Sequence, residues 1–242
     1  MRQAYNVGNA HRAADSDPYY ANVVLLLHCD GADGSTTFAD SSGSAHTVTA
    51  NGVAVDTTDK QFGTGSALLN GGTDRLQISD STDFDVGLSA EPWTFECWLN
   101  LANTSGTENF LFSRGGGFSG WNSVSGWMYV FYLSGPTIYL QYWNGSTFVT
   151  GSAASGMSAG TWYYVGLVSD GASIKCYIDG SLKWTISSAT IAKPSGTNLI
   201  AVGGAANAYA ASSFQWQMDE IRLTKGVARD VTSVPTAAFP DS

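Results

Sequence analysis

Charge is scarce in this chain. Only 13% of its 242 residues are Asp, Glu, Lys or Arg, about half the usual share. The 11 basic residues are outnumbered by 20 acidic ones, for a formal net charge of −9. Nucleic-acid binding needs clustered Lys and Arg against phosphates, and no basic run occurs, so no such partner is expected. Cysteine is equally sparse. Cys29, Cys97 and Cys176 are too few and too scattered for a disulfide framework. Each falls in step with apolar neighbours, which reads as a buried thiol, and no CxxC or Cys/His cluster proposes zinc. Long apolar runs are missing too. VVLLL (Val23 to Leu27) is far short of the ~20 residues that span a bilayer. The opening MRQAYNVGNAHRAADSDPYY has no apolar core of the signal-peptide kind, so neither a secretory leader nor membrane insertion is expected.

What the chain has in quantity is glycine, 28 residues, and aromatics, 12%. Period-two alternation recurs along its length, broken by Gly, Ser, Asn and Asp clusters, as in a sandwich of many strands. The clearest runs are NVVLLLHC, SALLNG, DRLQIS, WTFECWLNL, NFLFSR, WMYVFYLS, TIYLQYW, TWYYVGLVSD, SIKCYIDG, LKWTIS, NLIAVGG and DEIRLTK. Asp179-Gly180 and Asn144-Gly145 mark hairpin turns. The first ~20 residues are polar and aperiodic. The division expected is therefore an arm over 1–22, one β-domain over 23–230 and a proline-punctuated tail over 231–242.

Alternation also assigns faces. In WTFECWLN, Trp93, Phe95, Cys97 and Leu99 oppose Glu96 and Trp98; in DEIRLTK, Ile221 and Leu223 oppose Glu220 and Arg222. Glu96, Trp98, Tyr164, Tyr177, Glu220 and Arg222 are thus expected together on one outer sheet face. They form either an ion-pair and tyrosine network or the floor of a binding site. Asp219 shares the parity of the core positions. A bare carboxylate is not tolerated there, so it must lie at an edge, accept backbone N–H groups or bind a cation.

The ordered set HCDG, FADSSGSAHTV, FGTGSALLNGGTDRLQI, WTFECWLN, WYYVGLVSDGASIKCYIDG, LIAVGG and MDEIRLTKGVAR resembles the laminin-G-like jelly roll of the concanavalin A-like lectin/glucanase superfamily. The resemblance runs from about Val23 to Arg229. It implies an all-β, two-sheet antiparallel jelly-roll sandwich, here preceded by an extended N-terminal arm. LLLHCDGADGST and DEIRLTKGVAR look most like modules of bacteriophage structural proteins. The family also implies one structural calcium ion, with Asp219 as ligand and Asp30 or Asp40 from the N-terminal loop beside it. Calcium wants six to eight oxygens. The alternative for these Asp residues is turn formation.

Glucanases of the superfamily place two carboxylates ~5–5.5 Å apart when they retain configuration. Here Asp219 and Glu220 are adjacent and no E-x-D-x-x-E pattern exists. No catalytic residue is assigned, and a glycoside hydrolase is the least favoured reading. Two others stand ahead of it. One is a virion structural protein, a capsid-surface decoration or a tail or fibre component. It would be made in the host cytoplasm and attached to other virion proteins or to its own copies through arm residues Arg2, Tyr5, Arg12, Tyr19 and Tyr20. The other is a module for host-surface glycans, using Trp98, Trp121, Trp127, Tyr129, Tyr142, Trp143 and Arg222. Flat rings outside a core stack on sugar faces.

Overall fold

A computed structural model describes residues 16–104, 108–115, 127–187, 190–193, 199–205 and 215–242, with the backbone alone at Trp127. Among the described residues, fifteen strands form two antiparallel sheets. They are β1 (Val23–Leu27), β2 (Val48–Asn51), β3 (Ala54–Asp56), β4 (Ser66–Leu69), β5 (Arg75–Ile78), β6 (Trp93–Leu101), β7 (Asn109–Gly115) and β8 (Trp127–Ser134). The rest are β9 (Thr137–Trp143), β10 (Phe148–Ala154), β11 (Trp162–Ser169), β12 (Ile174–Ile178), β13 (Ser181–Ile186), β14 (Leu199–Val202) and β15 (Trp216–Lys225). The first sheet runs β13-β12-β11-β6-β15-β4-β3, with β1 also paired to β15; the second runs β10-β9-β8-β7-β14-β5-β2.

The alternating apolar residues meet between the sheets. Leu25, Phe95, Cys97, Leu99, Val165 and Leu223 from the first pack against Leu111, Phe112, Phe131, Leu140 and Ile200 from the second. The cysteines are free and buried, as their phase requires. The Asp179-Gly180 hairpin forms as its residues dictate, with both at positive φ (47° and 72°).

Two features depart from the simple alternation. The first is a bulge in β15. Asp219 lies opposite Trp98 and Arg222 opposite Glu96, so three steps on β15 match two on β6. The extra residue is Glu220, held at φ 47°, a left-handed conformation that costs a non-glycine residue about 1–3 kcal/mol. The bulge reverses the expected parity of Asp219, which faces outward with Trp98 rather than into the core.

The second is the cover on the first sheet. The outer face of an antiparallel sheet commonly faces water, yet every residue of β6, and all of β15 except Lys225, is buried. Residues 231–242, expected as an exit, lie over this face instead. Val231 and Phe239 pack with Val23, Leu26, Trp98 and Tyr164 in a second apolar cluster. Two glycines make room for them. A Cβ at Gly166 would stand 2.7 Å from the Val231 side chain, and one at Gly180 would stand 2.2 Å from the Thr232 carbonyl oxygen.

Candidate functional site

The outer face of the first sheet is closed by an ionic network. Arg222 donates from Nε and Nη2 to the Glu96 carboxylate at 2.9 and 3.0 Å. Its Nη1 reaches Asp17 at 3.2 Å, which also takes Arg229 at 2.6 Å. Tyr164 donates its hydroxyl to Glu96 at 2.5 Å, and the Phe239 ring lies 3.8 Å from the Arg222 guanidinium. Hydrogen bonds and charge from Arg229, with Arg222 beside it, hold the Asp17 carboxyl below its ordinary value against the opposing effect of burial.

Glu220, expected in this network, leaves it through the bulge. Its carboxylate bonds His28 Nδ1 at 3.0 Å and accepts the Phe239 N–H at 2.8 Å. That hydrogen bond raises the His28 imidazole above its ordinary value. Tyr177 stays on the outer face, against the Val231 and Phe239 cluster. Arg222 and Trp98 are therefore under the tail, at 6% and 5% exposure, and offer no open surface to a glycan.

The three carboxylates expected at a calcium ion are each occupied by N–H donors in a different place. Asp219 Oδ2 accepts from the Gln61 and Phe62 backbone, and Oδ1 from Glu220 N. Asp30 accepts from the Thr64 and Gly65 backbone. Asp40 accepts from Leu26, Ser42 and His46. Among the described residues no group of three or more His, Cys, Asp or Glu is arranged to hold a metal. This donor set does not fit a calcium ion shared by the three. Burial raises the Asp219 carboxyl to about 7, against the pull of its backbone donors.

The outer face of the second sheet is buried at Phe110, Val130 and Tyr132 and partly exposed along β9 and β10. On β9, Ile138, Leu140 and Tyr142 point into the core, so Tyr139, Gln141 and Trp143 point out, half-buried. Across the strand pair, Tyr139 faces Ser152, Gln141 faces Thr150 and Trp143 faces Phe148. Gln141 Nε2 donates to Thr150 Oγ1 at 3.4 Å. The Trp143 and Phe148 rings sit 5.2 Å apart, edge to face. Tyr139 lies parallel to Tyr132 of β8, centroids 4.9 Å apart and 8° between planes. Tyr132 rests in turn on Phe110, and burial lifts its hydroxyl to about 12.

Tyr139 and Trp143 are four residues apart on one strand, about 13 Å, with an amide and two hydroxyl side chains between and beside them. No Asp, Glu, Lys, Arg or His occurs between Arg114 and Asp170, so β8, β9 and β10 contribute no charge. The result is an uncharged strip of rings and neutral hydrogen-bonding groups.

Of the rings expected to bind sugar, Trp143 alone among the described side chains lies on this strip. Tyr129 and Tyr142 are core residues at 4% and 0% exposure; β9 points Tyr142 inward, and the Tyr129 hydroxyl donates to the Phe84 carbonyl. Trp121 and the Trp127 side chain lie outside the described residues. Tyr139, Gln141, Phe148 and Thr150 are the additions, and the phase of TIYLQYW already separates Tyr139 and Trp143 from Tyr142. Of the arm, Arg2, Tyr5 and Arg12 lie outside the described residues. Tyr20 donates to the Ser41 carbonyl of its own domain at 2.5 Å, and Tyr19 lies over Arg229.

A laminin-G type family model, described as the concanavalin A-like lectin/glucanases superfamily, matches residues 70–230. The chain belongs to that superfamily. Solved structures of the same fold include the binding domain of botulinum neurotoxin serotype D, at TM-score 0.62 and 11% identity over 89% of this chain and 52% of that one. The ligand-binding domain of the same serotype in complex with N-acetylneuraminic acid gives 0.64 and 13%, covering 88% and 50%. The binding domain of Paraclostridial Mosquitocidal Protein 1 gives 0.61 and 11%, covering 88% and 51%. The chain spans about half the length of these structures. No curated protein matches it.

Proposed function

We propose that this chain is a non-catalytic carbohydrate-binding module that takes a neutral oligosaccharide on the outer strip of its second sheet. The observation that carries the reading is the uncharged row Tyr139, Gln141 and Trp143, flanked by Phe148 and Thr150. Aromatic faces take the apolar side of a sugar ring, and amide and hydroxyl groups meet its rim. The lectin-like family and the binding-domain character of the similar structures support it. The serotype D domain was captured with N-acetylneuraminic acid, an acidic sugar. This strip holds no cation to pair with a carboxylate, so neutral glycans are the expected class.

Catalysis has little to work with on the first sheet. Glu96 and Glu220 are buried and already bonded to Arg222, Tyr164, His28 and the Phe239 N–H. The test of the binding reading is a glycan array probed with the whole chain and with Trp143→Ala. Dose-dependent binding of neutral glycans that Trp143→Ala removes is expected; an array without any neutral hit would overturn the reading.

A virion setting for the module rests on the resemblance of LLLHCDGADGST and DEIRLTKGVAR to phage structural domains. In that setting the strip would face outward from a particle. Mass spectrometry of purified particles decides it: many copies per particle are expected, and absence from them would reject it.

A further inference from the structure

A ledge runs beside the ring row. In the order β10-β9-β8, β10 lies on the opposite side of β9 from β8 and ends the sheet. Its outward residues are Phe148, Thr150 and Ser152, set across from Trp143, Gln141 and Tyr139. Thr150 and Ser152 are exposed, and their short side chains stand lower than the rings of β9. Tyr139 turns one face of its ring to Tyr132 on the β8 side, nearly parallel at 8°. The other face looks across Ser152, which is too short to cover it. At the far end Phe148 meets Trp143 edge to face, 5.2 Å between centroids, and closes the ledge. Between the two ends, Gln141 gives a single long bond to Thr150 Oγ1, so its amide keeps a donor and an acceptor.

Spacing sets the length of what fits. Tyr139 and Trp143 stand about 13 Å apart along one strand. A single pyranose is far shorter, and a disaccharide falls short of laying a ring on each. Both aromatic contacts are made together only by a longer chain. Because the row follows one strand, that chain must also be extended. Equatorially linked pyranoses form such ribbons, with alternate rings presenting the same face to one side. Axially linked chains coil away from the row after the first contact. Once one ring is bound, the second contact is intramolecular, so affinity grows with chain length.

Resting on the carbohydrate-binding role proposed above, we propose that this ledge selects extended, equatorially linked neutral chains over single sugars and over coiled, axially linked ones. The chain lies along β10, with one ring against the free face of Tyr139 and a later ring at Trp143 and Phe148. The hydroxyls between them meet Gln141, Thr150 and Ser152.

The test is calorimetric titration of the whole chain with cellohexaose, β-linked mannohexaose and xylohexaose, with the disaccharide of each, and with maltohexaose, whose linkages are axial. At least one β-linked hexasaccharide is expected to bind roughly fivefold or more tightly than its own disaccharide and than maltohexaose. Trp143→Ala and Tyr139→Ala should each bring that hexasaccharide down to the affinity of its disaccharide, and leave the disaccharide within about twofold. Ser152→Leu, at an exposed position, fills the ledge beside Tyr139 and should do the same without removing a ring. Equal affinity for hexasaccharide and disaccharide would overturn the proposal. So would maltohexaose binding as tightly, a length dependence untouched by Ser152→Leu, or no binding of any β-linked hexasaccharide. If neutral hits on the glycan array persist beside such a result, only the selection of extended chains is lost; an array without them removes the strip as well.

Discussion

Arg222 shows what the few charges of this chain are used for. Its side chain is buried between those of Glu96 and Asp17, and removing one member of such a set leaves the others buried without a counter-charge. Arg222→Leu should therefore cost about 3–5 kcal/mol of folding stability, read by chemical denaturation. A loss under about 1 kcal/mol would mean that water reaches the network. Asp219 gives the pH dependence. Its folded carboxyl titrates near 7 against 3.8 ordinarily, so between those values the folded state holds the extra proton and stability falls as pH rises. His28, also raised, contributes stability below its ordinary 6.5 that is lost as pH climbs through its folded value, in the same direction. The melting temperature is expected to drop from pH 5 to pH 8, and Asp219→Asn should flatten that slope while lowering stability overall. A slope unchanged in the variant would assign the effect elsewhere. Melting curves in calcium and in chelator should superimpose, because N–H groups already hold Asp219; a calcium-dependent rise abolished by Asp219→Asn would contradict this.

Elements whose alternation is strong were legible from residues alone: β6, β8, β9, β11, β12 and most of β15 lie where their apolar phase places them. The strands that sequence reading passed over, β2 (VTAN), β3 (AVD) and β10 (FVTGSAA), are edge strands. They bury little, so small and polar residues leave no period to read. The bulge was hidden for another reason. Glu220 in a left-handed conformation breaks no local pattern, and only the pairing with β6 and the partners His28 and Phe239 reveal the extra residue. That one residue moved Asp219 to the outer face and Glu220 out of the Arg222 network. The packing of the tail leaves little trace in the sequence, because its anchors, Val231 and Phe239, are isolated apolar residues in a polar, proline-containing stretch. Phe239 is 5% exposed, so Phe239→Ala should cost about 3 kcal/mol. Gly166→Ala, which drives a methyl group into Val231, should cost about 1–3 kcal/mol by overpacking. If both are neutral by thermal melting, the tail is not part of the folded core.

At the scale of the whole molecule the two sheets divide their outer faces between stability and display. The first sheet is roofed by chain and locked by the ion pairs around Arg222, and a separate buried group on β7 of the second sheet joins Arg114 to Asp80 and Asp85. The second keeps a half-exposed, uncharged aromatic strip across β9 and β10. The sequence made the ring-rich segment visible but could not sort it, since strand phase sends Tyr142 inward and Trp143 outward one residue apart. The central claim is that this strip binds a neutral oligosaccharide, and isothermal titration with such a ligand tests it most directly. The whole chain should bind, and Trp143→Ala and Tyr139→Ala should each weaken binding about 2- to 10-fold, the worth of one aromatic contact, with both variants still folded by circular dichroism at the titration temperature. Equal affinity in the wild-type chain and both variants would contradict the account.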